Sequence, residues 1–508
     1  MTRPLAQSCP AERGPARSVP RGDGDARRFD RQAHRLTGRL GSGPALGPLT
    51  LLALAVTLAG CAAPGLSKGP THLAPAQFAQ LPPANPGAAT MTAAFVDSAQ
   101  LQRIVDEVLA NNRDLRAAAA RLRQAESLAD AAGARRLPTV SAGANASRQR
   151  APNDLGQFNN FNSYGVNATA GWEVDLWGRV SATAQAAGYD AQGAALDRDA
   201  AALSLAGTAL NLQTQLIGLG HRLALAKETL VVQNQLLDLV KARVGAGRGT
   251  ALDQARAEAL VAQTSASVPA LRNAACLTRL QLDVLRGQAP ADCASADSDP
   301  LPAMPEPRLV SLGTLPDPAG LLAARPDVKA AAARAQAAAS RAHVAWAARW
   351  PTLGLTGQIG WSAASAGDLF KSGTQIHSIA AALNWNFLDF GARKAEETAA
   401  RAGFDAAVAA AEQAQLTALQ DAQGSLSTLR ETELQATAQA AAAEATGRAR
   451  ELALKRYEAG VTDFYSLLQA EQDRLTAQDA LIQVQASRAS ALLAVHKAFA
   501  ARLTASAP

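Results

Sequence analysis

Apolar and polar residues alternate with a period of two in four separate stretches of this chain. Val140, Ala142, Ala144 and Ala146 alternate with Ser141, Gly143, Asn145 and Ser147, and Val166, Ala168, Ala170, Trp172 and Val174 alternate with Asn167, Thr169, Gly171, Glu173 and Asp175. Later, Leu353, Leu355, Ile359 and Trp361 oppose Thr356, Gln358 and Ser362, while Ile379, Ala381, Leu383, Trp385 and Phe387 oppose Asn384 and Asn386. Period two predicts strands with one apolar face. Around them the period lengthens. A helix is predicted from Arg113 to Arg136, stopped at Leu137-Pro138 because proline cannot continue it. Another is predicted from Gly178 to Val244, about 100 Å long at roughly 1.5 Å per residue. Leu216, Leu223, Leu230, Leu237 and Val244 recur along it at intervals of seven, shadowed by Leu212, Leu219 and Val240, which is the spacing of a coiled-coil seam. A helix of this length must project from any globule.

A shift of 213 positions lays one half of the chain on the other. Asp114 falls on Asp327, Arg121 on Arg334, Ser127 on Ser340, Pro138-Thr139 on Pro351-Thr352, Gly178 on Gly391, Arg243 on Arg456, Gly247 on Gly460 and Glu258 on Glu471. Landmarks of such different chemistry sharing one offset indicate an internal repeat. Each half reads helix, two strands, long helix, tight turn, helix. The first repeat is placed at residues 93–286 and the second at 319–508. Between them, residues 287–318 form a connector that carries Pro290, Pro300, Pro302, Pro305, Pro307, Pro316 and Pro318. The turns from Arg243 to Asp253 and from Arg456 to Ser466 then share the far end of the long helices.

Alternating strands suit either a soluble sandwich with one buried face or a membrane barrel with apolar residues toward lipid. Tryptophan placement favours the barrel: Trp172, Trp177, Trp346, Trp350, Trp361 and Trp385 all lie in or beside the strands, and indole prefers the membrane interface. Four strands cannot close a barrel. Two chains would give eight strands and a nearly filled interior, whereas three would give twelve and a pore. The expected fold is an α+β membrane protein whose homotrimer forms a 12-stranded β-barrel, with long coiled-coil helices and the loops Gln149 to Ser163 and Ala363 to Ile376 outside the cell.

The N-terminus changes the charge argument. Arginines precede the apolar run Leu49 to Ala59, which is too short to span as a helix, and Leu58-Ala59-Gly60-Cys61 follows the pattern of a lipoprotein signal. Residues 1–60 are therefore expected to be a signal peptide, Cys61 the acylated N-terminus and residues 61–92 a Pro- and Ala-rich tether. By resemblance to bacterial lipoproteins, Ala62 after the cysteine implies the outer membrane. The leader holds nine Arg and four acids, so the net charge of +6 falls to +1 without it, and nothing indicates a nucleic-acid partner. Past the leader no apolar run reaches the roughly 18 residues of a helical span. Cys276 and Cys293 are candidates for a disulfide in an oxidising compartment, the alternative being two free thiols.

Catalytic chemistry finds no support. There is no phosphate-binding Gly-rich loop, His-Glu-x-x-His motif, nucleophile elbow or paired-Cys metal spacing. The histidines 34, 72, 221, 343, 377 and 496 are scattered, and three Met are too few for a thioether copper path. Neither an enzyme nor a metal or cofactor site is expected.

Leu321-Leu322, Arg325-Pro326-Asp327-Val328, Arg349-Trp350-Pro351-Thr352-Leu353 and Arg456-Tyr457-Glu458-Ala459-Gly460-Val461 resemble motifs of the outer-membrane efflux channels of the TolC and OprM type, more closely the NodT branch of lipoproteins, over about 90 to 500. The resemblance implies a twelve-helix periplasmic tunnel below the barrel. It also implies a periplasmic membrane-fusion adaptor and an inner-membrane transporter of the resistance-nodulation-division (RND) class as partners, with small molecules leaving through the duct. A duct for type I protein secretion and a lipid-anchored periplasmic coiled-coil scaffold are the alternatives. The resemblance places a periplasmic gate at the two turns: Tyr457 matches a linking position, and Asp253 and Asp463 are candidates for an acidic ring, because Ser466 and Gln469 stand where relatives often carry Asp. Arg248 and Thr462 flank them, and Gly247 and Gly460 supply the reversals. The alternative is that these are solvated turn residues.

Overall fold

The computed structural model describes residues 98–152, 156–290, 293 and 317–499; Cys61, the leader and the tether lie outside the described residues. Helices α1 (Ser98–Asn111) and α2 (Arg113–Ala134) precede strands β1 (Thr139–Pro152) and β2 (Phe158–Val174), the long helix α3 (Arg179–Gly245) and α4 (Ala251–Leu285). The second half runs α5 (Pro318–Ala324), α6 (Pro326–Ala347), β3 (Thr352–Ala363), β4 (Gln375–Asn384), α7 (Ala392–Glu458) and α8 (Phe464–Ala498). Both ends of α2, α3 and α4 map onto α6, α7 and α8 at the shift of 213 found in the sequence.

Helix α1 adds an element to the predicted order, and Asn112 is the reason it is separate. The buried Asn112 Oδ1 accepts from the Leu115 amide at 3.0 Å and caps α2, while its Nδ2 donates to the Leu285 carbonyl at 2.9 Å, at the end of α4. Arg325 is its repeat counterpart, and Arg325 Nη1 donates to the Ala498 carbonyl at 3.2 Å, at the end of α8. Buried helix ends need partners for their last carbonyls. The two halves meet that need at the same place with different side chains.

The long helices start alike. Gly178 and Gly391 precede them with φ of 72° and 90°, a left-handed turn that glycine adopts without steric cost. Carboxylates hold the first turns: Asp175 accepts from the Val180 and Ser181 amides at 2.9 and 2.8 Å, and Asp389 from those of Gly391 and Arg393 at 3.0 and 2.9 Å.

The strands form one antiparallel sheet in the order β1-β2-β3-β4. The hairpin β1-β2 is longer than its hydrophobic pattern indicates: the ladder continues through Arg148↔Asn162 and Gln149↔Phe161 to Pro152↔Phe158, inside the segment expected as a loop. Backbone pairing needs no apolar side chain, so polarity hid it. Conversely, β4 ends at Asn384, short of Trp385 and Phe387. In β2 the counterparts Trp172 to Val174 pair with Leu355 to Leu353 of β3, whereas the outer side of β4 has no strand beside it in the single chain.

One cluster at mid-length gathers Leu101, Val105, Leu210, Leu321, Leu426, Leu492 and Phe499, and another at the tip gathers Leu236, Val240, Leu260, Tyr457, Phe464 and Leu467. Of the predicted seam on α3, Leu237 and Val240 are buried and Leu216, Leu223, Leu230 and Val244 half-buried in the single chain. The buried line also takes in Gln213, Thr214, Ala226, Thr229, Gln233 and Leu236, small and polar positions among them that leucine spacing does not mark.

Candidate functional site

The register brings the apolar positions of all four strands to one face. Val140 pairs with Ala170, Ala144 with Val166, Trp172 with Leu355, Ala168 with Ile359, Leu353 with Leu383 and Leu355 with Ala381. This face is bare in the single chain, with Ile379 93% and Leu383 67% exposed. The opposite face carries Asn167, Thr169, Thr356, Gln358, Ser378 and Asn384, among glycines. An apolar face of this extent, uncovered by any layer of the same chain, needs lipid or protein against it.

The tryptophans divide into two groups. Trp172, Trp361 and Trp385 are exposed. Trp172 Nε1 donates to the Arg136 carbonyl at 2.9 Å, and its counterpart Trp385 Nε1 donates to the Arg349 carbonyl at 3.1 Å. Trp177, Trp346 and Trp350 instead pack together where the helices meet the sheet, with ring centroids 5.5 and 6.1 Å apart and Trp346 buried. In the single chain these three indoles contribute to the packing of helices against the sheet.

At the other end both turns reverse by the same bonds. The Gly247 amide donates to Val244 O at 3.0 Å and the Arg248 amide to Arg243 O at 2.8 Å; Gly460 and Val461 do likewise to Tyr457 O and Arg456 O at 3.0 and 2.9 Å. With φ of 70° and 72°, Gly247 and Gly460 close these helix ends in left-handed conformation. The next helices start with caps. Thr250 and Asp253 form a reciprocal capping box, the Asp253 amide donating to Thr250 Oγ1 at 3.1 Å and the Thr250 amide to Asp253 Oδ2 at 3.2 Å. Asp463 accepts from the Ser466 amide at 3.0 Å and from Ser466 Oγ at 2.5 Å, which holds its carboxyl below the usual range.

The structure thus places Asp253 and Asp463 as caps of α4 and α8, half-buried and exposed respectively, each bonded within its own turn. Arg248 is exposed and Thr462 half-buried. Tyr457, 6% exposed, lies in the tip core against Phe464 at 5.8 Å between centroids. Arg243, a repeat landmark not marked as a site residue in the sequence, joins the two turns. Its guanidinium lies 4.2 Å from the Tyr457 ring centroid, and Nη1 and Nη2 donate to the carbonyls of Tyr457 and Glu458 at 3.0 and 3.1 Å. A cation at the C-terminus of α7 also opposes the helix dipole. Cys276 and Cys293 are joined as a disulfide with Cα atoms 5.5 Å apart. Among the described residues no group of three or more His, Cys, Asp or Glu is disposed to hold a metal, and no helix is long and apolar enough to cross a membrane.

The profile of the family described as "Outer membrane efflux protein" matches residues 104–288 and 318–501. The chain belongs to that family. It is 31% identical over 470 residues to the outer membrane protein OprJ of Pseudomonas aeruginosa, across 90% of this chain and 95% of OprJ. To the pyoverdine export outer membrane protein OpmQ of Pseudomonas putida it is 30% identical over 421 residues, 81% of this chain and 88% of OpmQ. Among solved structures, the outer-membrane channel OprN superposes with a TM-score of 0.78 at 29% identity, covering 86% of this chain and 99% of that one. The open state of the MtrE outer membrane channel of Neisseria gonorrhoeae gives 0.78 at 27% identity, covering 87% and 99%. The protein is accordingly an outer-membrane efflux channel component, its sheet contributing to a β-barrel and its long helices reaching into the periplasm.

Proposed function

We propose that three copies of this chain form the exit duct of a tripartite efflux pump, receiving small molecules from an inner-membrane RND transporter through a periplasmic adaptor. The sheet carries the reading: it has two open edges, one bare apolar face and one polar face, and a sheet in lipid must close to satisfy its backbone. Three four-stranded sheets make twelve strands, enough to leave a lumen. Relatives named for pyoverdine, toluene, solvent and antibiotic efflux differ widely in cargo, so substrate choice falls to the transporter and the duct supplies a passive path.

Acylation of Cys61 would tether each copy in addition to the barrel. The tip is the proposed gate, with Tyr457, Asp253, Asp463, Arg248 and Thr462 around it. The tip core and the bonds from Arg243 favour a closed resting state, because opening must separate them. In protein purified from outer membranes in mild detergent, light scattering should give three copies per particle, and mass spectrometry should find an acyl-modified Cys61 at the N-terminus. A monodisperse single chain would refute the duct.

A further inference from the structure

The polar extension of the β1-β2 hairpin keeps the register of the apolar strands beneath it. Even-numbered residues of β1 therefore stay on the apolar face, where Val140, Ala142, Ala144 and Ala146 are followed by Arg148 and Arg150. Their partners across the ladder, Asn162 and Asn160, share that face with Tyr164 and Phe158. The helices join this hairpin at its other end, next to Thr139 and Val174, so the arginines lie at the end directed out of the cell. The repeat sets their level. At the shift of 213, Arg148 stands where the second half has Trp361, an exposed aromatic on the apolar face of β3, and Arg150 stands one step farther out, where the second half has Ala363.

Two guanidinium groups thus occupy the lipid-directed face at the rim of its apolar band, and both side chains are exposed. Same-face neighbours on a strand stand about 7 Å apart, so their charges repel. No acid on the strands relieves them. Glu173 is the one acid within the four strands, and it lies on the polar face at the periplasmic end, where Arg179 donates to it at 2.6 Å. The Arg150 guanidinium lies 5.7 Å from the Phe158 ring centroid, a contact that steadies its plane. Arginine presents a flat fork of donors matched to phosphate oxygens, and at the membrane interface its long stem can stay on the apolar surface while the head meets an anion.

We propose that Arg148 and Arg150, with Asn160 and Asn162 beside them, bind the phosphate groups of a phosphorylated glycolipid in the outer leaflet of the outer membrane. Charge complementarity calls for an anion. The occupant is a lipid because the same face continues from the arginines into Ala146, Ala144 and Val166, so one molecule with a charged head and acyl chains covers both parts. A free ion would leave the apolar part bare. The second half carries Trp361 and Ala363 at the equivalent positions, so the pair belongs to the first hairpin. The inference rests on the barrel reading above for its orientation in the membrane. The site itself lies within one hairpin of one copy.

The test is native mass spectrometry of the detergent-purified full-length protein titrated with bisphosphorylated lipid A, with its dephosphorylated form and inorganic phosphate as separate arms. Arg148→Gln combined with Arg150→Gln should weaken binding of the phosphorylated form by about tenfold or more, since hydrogen bonds to charged groups are lost. Lysine at both positions should retain most of the binding, and Lys371→Gln, in the β3-β4 loop, should leave it unchanged. The dephosphorylated form should bind unsubstituted and doubly substituted protein alike. Equal affinity of those two proteins for phosphorylated lipid A, in particles of three copies by light scattering, would overturn the site and leave the duct standing. Equal binding of both lipid forms to unsubstituted protein, or complete displacement by an equal concentration of inorganic phosphate, would also overturn it. Single-chain particles that still bind phosphorylated lipid A through the two arginines would overturn the duct and support the site.

Discussion

Two buried titratable residues on α8 respond to acid in turn. His496 is 5% exposed, and burial lowers its pKa from 6.5 to about 4. As pH falls through that window the unfolded chain takes up a proton that the folded one refuses, so stability is lost, by about 3 kcal/mol over the full shift. Glu471, 1% exposed, would be raised by burial, but hydrogen bonds from Arg474 at 3.0 Å and Arg450 at 2.8 Å hold its pKa below 4.5. Its contribution is present above 4.5 and is lost as pH falls further. Thermal unfolding from pH 7 to 5 should show the decline from His496, and His496→Phe should flatten it; an unchanged slope would contradict the assignment. At this scale the sequence was only partly informative. It marked Glu258 and Glu471 as equivalent, yet Glu258 is exposed while Glu471 is enclosed by two arginines. Arg243 was visible as a landmark, but its bonds to Tyr457 and Glu458 depend on bringing it against residues 214 and 215 positions away.

At the scale of elements, legibility followed the strength of the periodic signal. Period two located all four strands, and proline and glycine bounded the helices within a few residues. Three features were hidden for physical reasons: the polar extension of β1-β2 relies on backbone pairing, the α1-α2 break on the dual bonding of Asn112, and the buried line of α3 on Thr and Gln. The face assignment carries a direct expectation. Leu355→Arg or Leu383→Arg puts charge on the apolar face and should cost about 2–4 kcal/mol at mid-membrane, reducing the heat-resistant assembled form on gels. Arg at Gln358 or Asn384, on the polar face, should leave assembly intact. Equal loss from both sets would contradict the division of the sheet.

At the scale of the molecule, duplication links the parts. One helix-strand-strand-helix-helix unit, written twice, supplies the paired hairpins, two 67-residue helices and two turns at a common tip. Each helix spans about 100 Å, a length suited to a tunnel across the periplasm. The open sheet edges and bare faces are the places where one chain is incomplete. The central claim is a gated conduit, and single-channel recording in planar bilayers tests it most directly. Unsubstituted protein should show small discrete steps. Arg243→Ala combined with Asp253→Ala, which removes the bonds to the Tyr457 and Glu458 carbonyls and a capping carboxylate, should raise resting conductance, and adding Gln358→Lys should shift ion selectivity toward anions. Correctly assembled particles that conduct nothing, before or after loosening of the tip, would contradict it.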